Sequence, residues 1–272
     1  MGFLAANVEN ELPGELIDRH SSMRFTYLFV LLITVVSLSA AGSTVMRSTA
    51  TYTSGKDTVQ AYLCVPDSSG PFPALILIHE WWGLNDWVRE NAQSIAAQGY
   101  ITLAIDLYRG QVATTMDEAH QLSRGLPEDR AARDLQAAFD FLKARSDVKP
   151  DRMGSLGWCM GGGFSLVAAL TLPHLASCTV CYGRLITDSS SIQKISCPLL
   201  GIFGVEDKGI PPASVKEFET ICRHFGKSIE VKIYDGAGHA FMNPNNKDGY
   251  RASSAKDAWA RIDSFFERTL KN

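Results

Sequence analysis

Apolar residues along this chain fall into two alternating patterns. Residues 74–79 (ALILIH) and 100–105 (YITLAI) are unbroken apolar runs, as in strands of a parallel sheet covered on both faces. Strand-like runs recur at 176–182, 199–204 and 229–234, residues 153–157 read as a short strand, and residues 59–65 (VQAYLCV) alternate well enough for another. Between them the apolar spacing becomes helical. Val88, Ala92, Ile95 and Ala96 share one side of a helix over 85–98, which Gly99 stops. Leu135, Ala138, Phe139 and Leu142 form a stripe over 129–143, and Val215, Phe218, Cys222 and Phe225 another over 213–225. Shorter helices are predicted over 117–123 and 161–170, and Ala255, Trp259, Ile262, Phe266 and Leu270 line a closing helix. Strands alternating with helices predict a single α/β domain over residues 51–272, its mainly parallel central sheet carrying helices on both faces.

The N-terminal segment reads differently. Residues 25–41 (FTYLFVLLITVVSLSAA) are almost wholly apolar, follow Met23-Arg24 and end in small residues. A basic start, an apolar middle and a small-residue end describe a signal peptide over 23–42, so the expected location is exported, periplasmic or secreted. The alternative is a membrane anchor through residues 25–41, a run near the lower limit for a spanning helix. Glu9, Glu11, Glu15 and Asp18 do not suit the leading region of a signal sequence. Translation is therefore expected to begin at Met23, with residues 1–22 a mis-assigned or disordered extension. Residues 43–50 read as a polar linker.

Composition narrows the function classes. The 272 residues are 46% hydrophobic with a formal net charge of −3, an ordinary globular balance with no basic excess for nucleic acid. Six cysteines at irregular spacings make neither a disulfide framework nor a paired zinc site. Cys178 and Cys181 form C-T-V-C, but strand residues three apart point to opposite faces. No metal and no organic cofactor is expected, and the chain is read as a monomer.

The chemistry gathers around residues 153–166 (MGSLGWCMGGGFSL), where a short strand runs into a helix through glycines. This is the G-x-S-x-G nucleophile elbow with Cys159 in the serine position. The bland alternative is a glycine-rich turn around a buried cysteine. A thiol nucleophile needs a base, and the base an orienting group. Downstream, Asp207 follows the strand at 199–204 and His239 follows that at 229–234, both where open α/β sheets assemble their sites. His224 lies inside a helix, which leaves His239 as the candidate base, whereas Glu206 rivals Asp207 for the acid. Glu80, directly after a buried strand, is costly to bury unpaired, so it either binds something or caps the helix opening near Asn85.

Taken together, HEWWGLN (79–85), DLYRG (106–110), GWCMGG (157–162), CYG (181–183), GVEDKGIP (204–211) and GAGHAF (236–241) resemble the dienelactone hydrolase family of α/β-hydrolases, over roughly residues 52–270. The resemblance implies the α/β-hydrolase fold and a triad of Cys159, Asp207 and His239. It also implies that the resting thiol turns toward Glu80 until substrate displaces it and pairs the cysteine with histidine. The backbone N–H groups of Trp81 and Met160 are the expected oxyanion donors. Trp81 and Trp82 read as pocket walls or core aromatics, with Tyr182 as a further wall. The expected activity is hydrolysis of a small ester or lactone. The alternative on the same fold is a binding or redox-sensing protein whose cysteine reports oxidation. One departure bears on substrate. The two arginines that bind the substrate carboxylate in dienelactone-cleaving members fall at Asn243 and near Asp117 here, with His120, Arg109 and Arg124 the candidate substitutes. Dienelactone itself is therefore not implied.

Overall fold

The computed structural model describes residues 44–272. The expectations for residues 1–22, for a signal peptide or anchor over 23–42 and for export concern residues outside this range. Among the described residues no helix is long and apolar enough to cross a membrane.

Among the described residues eight strands make one sheet, in the order β1-β2-β4-β3-β5-β6-β7-β8. They are β1 (Val45–Ser54), β2 (Asp57–Pro66), β3 (Phe72–Ile78), β4 (Ile101–Ile105), β5 (Val148–Trp158), β6 (Ser177–Cys181), β7 (Leu199–Gly204) and β8 (Ile229–Tyr234). The hairpin β1–β2 and the β2–β4 pair are antiparallel, and every pairing from β4 through β3 to β8 is parallel. The apolar runs explain this. All of β4, β6 and β7 is buried, as are six of the seven residues of β3, because helices cover both faces.

The two cores lie on opposite faces of the sheet. One packs α3 (Glu128–Lys143), α4 (Met160–Thr171) and α6 (Pro212–His224) against it, and the other α1 (Asp86–Ala96) and α7 (Ala252–Phe266). Complete burial of Ile76 or Ile78 contributes about 1.5–3 kcal/mol each. Cys178 belongs to one core and Cys181 to the other, the opposite-face placement expected of C-T-V-C. The five helices predicted with bounds, α2 (Met116–Arg124) among them, appear within two residues of those bounds, and the closing stripe runs through α7 into a π-helical turn at Glu267–Lys271. The predicted start near Asn85 is its cap: the side chain accepts from the Val88 N–H at 3.2 Å.

Two differences stand out. The end of the expected linker, with four residues beyond it, is β1, an edge strand that turns only Ala50, Tyr52 and Ser54 inward and leaves 46–49 exposed. Its polar outer half hides the strand pattern. A short helix, α5 (Ser189–Ile192), was also not anticipated. Asp188 caps it by accepting from the Ser191 N–H at 2.9 Å.

Candidate active site

Five neighbouring strands deliver side chains to one end of the sheet. Glu80 follows β3, Cys159 follows β5, Tyr182 follows β6, Asp207 follows β7 and His239 lies in the loop after β8. Carboxyl ends of parallel strands converge there, so residues up to 159 positions apart in sequence come together.

Cys159 sits on the turn between β5 and α4 with φ 55° and ψ −117°, a left-handed backbone that costs a non-glycine residue of order 1–3 kcal/mol. The flanking glycines make the turn possible by close approach. A Cβ on Gly157 would lie 1.9 Å from the Gly161 carbonyl oxygen, and one on Gly161 would lie 2.1 Å from that of Ile78. The elbow thus lifts Cys159 out of the strand, and it is the one cysteine of six that is not buried. Burial pushes the other thiols up, those of Cys178 and Cys222 to about 11. The bland reading of Cys159 as a buried core cysteine does not hold.

The carboxylate that meets the histidine is that of Asp207. Its Oδ2 accepts from His239 Nδ1 at 2.7 Å, while Oδ1 accepts from the Gly209 and Ile210 N–H groups at 2.9 and 3.0 Å. Glu206 is exposed, and its backbone N–H instead ties this loop to the Ala237 carbonyl at 2.9 Å. Burial raises the Asp207 pKa, but the hydrogen bonds to His239 and the two amides outweigh it and hold the carboxyl below its usual value. Burial likewise lowers the His239 pKa, yet hydrogen bonding and charge from Asp207 and Cys159 win and hold it up to about 10.

Glu80 is 2% exposed. Oε2 accepts from Asn243 Nδ2 at 2.6 Å and Oε1 from the Tyr182 hydroxyl at 3.3 Å. Burial pushes its pKa up to about 7 against the lowering effect of Asn243, of the His239 charge and of Tyr182. Glu80 is therefore neither a helix cap, a task Asn85 performs, nor the hydrogen-bond partner of the thiol. Both carboxylate oxygens are already engaged, and Cys159 interacts with His239. The expected resting contact between the thiol and Glu80 is not made in this conformation. Tyr182 is also corrected: it is fully buried beneath Glu80, not a pocket wall.

A cavity of about 780 Å³ opens over these groups. Its lining includes apolar Trp81, Trp82, Val112, Ala113 and Met116 and polar Asn85, Asn243, Asn245 and Asn246, with Glu80, Cys159 and His239 also bordering it. Both tryptophans are pocket walls, as their position suggested. Neither the Trp81 nor the Met160 backbone N–H has a hydrogen-bond partner among the described residues, as a pair of waiting oxyanion donors requires. Arg109, Arg124 and His120 do not line the cavity. Arg109 is paired with buried Asp134 at 2.8 Å, and His120 packs edge-on against Trp81 with ring centroids 4.7 Å apart. Among the described residues Lys247 is the sole lysine or arginine on the wall, with Asp248 next in sequence. Among the described residues no three His, Cys, Asp or Glu side chains are grouped to hold a metal ion.

The family model for dienelactone hydrolases matches residues 59–270. The chain belongs to the dienelactone hydrolase family. A relative from Methylorubrum extorquens, assigned as a carboxymethylenebutenolidase, is 31% identical over 224 residues, covering 77% of each chain. Another of the same assignment from Saccharolobus solfataricus is 30% identical over 81% of this chain and 98% of its own. The fold matches the crystal structure of a dienelactone hydrolase-like promiscuous phosphotriesterase from metagenomic libraries, with TM-score 0.76 and 24% identity over 84% of this chain and all of that one. Against this family background, sequence reasoning had marked Asn243 only as a departure from an arginine. Its bond to Glu80 spans 163 residues and leaves no local spacing to read.

Proposed function

We propose that this chain hydrolyses a small carboxylic ester or lactone through an acyl-thioester on Cys159. Family membership makes it an ester or lactone hydrolase. The observation that carries the assignment of roles is the pairing at the cavity floor. Cys159 stands on a strained elbow beside His239, whose Nδ1 is held by Asp207 at 2.7 Å and whose pKa is held up to about 10.

In this reading the resting pair is thiolate and imidazolium, so the sulfur is already a nucleophile. It attacks the carbonyl carbon, and the carbonyl electrons move to oxygen, where the Trp81 and Met160 N–H groups receive the developing charge. Collapse expels the alcohol oxygen, which takes its proton from His239. In a lactone that alcohol stays tethered to the acyl group. Neutral His239 then removes a proton from water, which attacks the thioester. The acid leaves, and thiolate and imidazolium are restored. Asp207 keeps the imidazole in the tautomer that presents Nε2 to these transfers.

Asn243 shapes the substrate claim. It is 3% exposed, and its amide is spent on Glu80 and on the Asn245 N–H at 2.9 Å. Among the described residues no arginine lines the wall, and its one lysine, Lys247, is exposed and stands next to Asp248, so the cavity has no buried cation to clamp a substrate carboxylate. A neutral ester or lactone with an apolar end against Trp81 and Trp82 fits the lining better. The test is turnover of a neutral aryl ester by wild type and Cys159→Ala. Complete loss in a folded variant is expected, and retained turnover would refute the assignment.

A further inference from the structure

β3 ends at Ile78, and the next side chain, His79, is fully buried. Its two nitrogens have different partners. The Leu107 N–H donates to Nε2 at 3.2 Å, so the ring proton resides on Nδ1, which donates to the Glu80 carbonyl at 2.6 Å. The same carbonyl accepts a second bond, from the Gly83 N–H at 3.2 Å. A trans peptide is planar, with its C=O and N–H on opposite sides. Fixing the Glu80 carbonyl with two donors therefore fixes the N–H of the same peptide, which is that of Trp81. That N–H is unpartnered among the described residues, and Trp81 lines the cavity with Cys159.

The anchor of His79 is itself rigid. Leu107 and Tyr108 belong to the loop after β4, where the Asp106 carboxylate accepts from the Tyr108 and Gly110 N–H groups. The Tyr108 ring packs on His79 with centroids 4.8 Å apart, and its hydroxyl donates to Met160 Sδ at 3.2 Å. One cluster thus holds the peptide that carries the Trp81 N–H and reaches the side chain of Met160.

We propose that His79 is a positioning residue for the oxyanion hole, acting by holding the Glu80–Trp81 peptide so that the Trp81 N–H stays free for the substrate oxygen. This rests on the reading of Cys159 as nucleophile. Asparagine can place an N–H near the position of Nδ1, whereas glutamine reaches only the position of Nε2, so His79→Asn keeps the donor and His79→Gln and His79→Leu lose it. Losing an oxyanion donor costs about 10²–10³-fold in kcat, and a misaimed one is expected to cost about 10–100-fold. The assay follows aryl-ester kcat and KM for the three variants beside two probes. A trifluoromethyl ketone forms a C–S bond with the thiolate as its C=O pair becomes an oxyanion, and so needs the hole. Iodoacetamide alkylates sulfur with loss of iodide and does not.

The expected result is a 10–100-fold lower kcat and a similar loss of ketone affinity in His79→Gln and His79→Leu. KM and alkylation rate stay within about threefold of wild type, and His79→Asn keeps kcat within about threefold. Turnover by His79→Leu within threefold of wild type would overturn the proposal, as would His79→Asn no better than His79→Gln, unchanged ketone affinity, or alkylation falling as far as kcat. Should His79→Leu not fold, the asparagine–glutamine comparison decides. Turnover retained by Cys159→Ala would instead overturn the nucleophile reading, so the two failures are distinguishable.

Discussion

Replacing Glu80 by glutamine should stabilise this protein, and more so as pH rises. The carboxyl is buried, its hydrogen-bond donors are the neutral groups of Asn243 and Tyr182, and burial pushes its pKa from 4.5 to about 7. The gap corresponds to roughly 3 kcal/mol favouring the protonated form in the fold. The sign follows from linkage. A folded pKa above the unfolded one means that the folded state binds more protons between the two values. Glu80 therefore costs nothing below about pH 4.5, and its penalty grows between pH 4.5 and 7 and is complete above that. Glutamine keeps the shape. Its Oε1 can accept from Asn243, and its amide N–H can donate to the Tyr182 hydroxyl; the acceptor that the Tyr182 O–H gives up is a loss of the same size at every pH and cancels in a comparison between two. Urea unfolding of wild type and Glu80→Gln at about pH 5 and pH 8 measures the effect, because titrations elsewhere largely cancel in the difference. The glutamine variant should gain about 2–3 kcal/mol more at the higher pH. A difference independent of pH, or a variant losing ground as pH rises, would refute a carboxyl held in its neutral form by burial.

Two further predictions concern the triad and the elbow. In Asp207→Asn, Oδ1 can still accept from the Gly209 and Ile210 N–H groups, but an amide faces His239 Nδ1, so the imidazole must adopt the wrong tautomer. Turnover should fall by on the order of 10³-fold, short of the ~10⁴ that such an exchange costs a serine triad, because a thiolate is the stronger nucleophile. The His239 pKa, read by NMR, should drop from about 10 toward 6.5, and an unchanged midpoint would contradict the role given to Asp207. At the elbow, Gly157→Ala would push a methyl to within 1.9 Å of the Gly161 carbonyl oxygen and should destabilise by about 3 kcal/mol or more. Gly163→Ala meets nothing nearer than 3.5 Å and should instead gain up to ~1 kcal/mol of helix propensity, so thermal melts of the pair test the packing directly.

Much of this was legible in the sequence, for identifiable reasons. Burial on both faces leaves continuous apolar runs, so β3, β4, β6 and β7 could be read without neighbours. The elbow was legible because backbone collisions demand glycine at fixed offsets around Cys159. Asp207 was legible as a polar residue just past the buried strand β7, and His239 as the histidine in the loop past β8. β1 was not, because an edge strand with one solvated face carries the composition of a linker. Tyr182 was misplaced because position after β6 does not say whether a ring points into the cavity or beneath it. The partners of Glu80 were invisible for a different reason: its bonds to Tyr182 and Asn243 close over 102 and 163 residues, set by tertiary packing alone. His79 looked like the last residue of an apolar run, and only the direction of its two ring nitrogens distinguishes it from one.

The central claim is a covalent one, that an acyl group passes through the sulfur of Cys159. Mixing the protein with a slowly deacylating aryl ester, quenching in acid and mapping the adduct by tandem mass spectrometry tests it most directly. The account predicts an acyl group on the peptide carrying Cys159, appearing with the first turnover and absent in Cys159→Ala. An adduct on another cysteine, or steady turnover by Cys159→Ala, would contradict it.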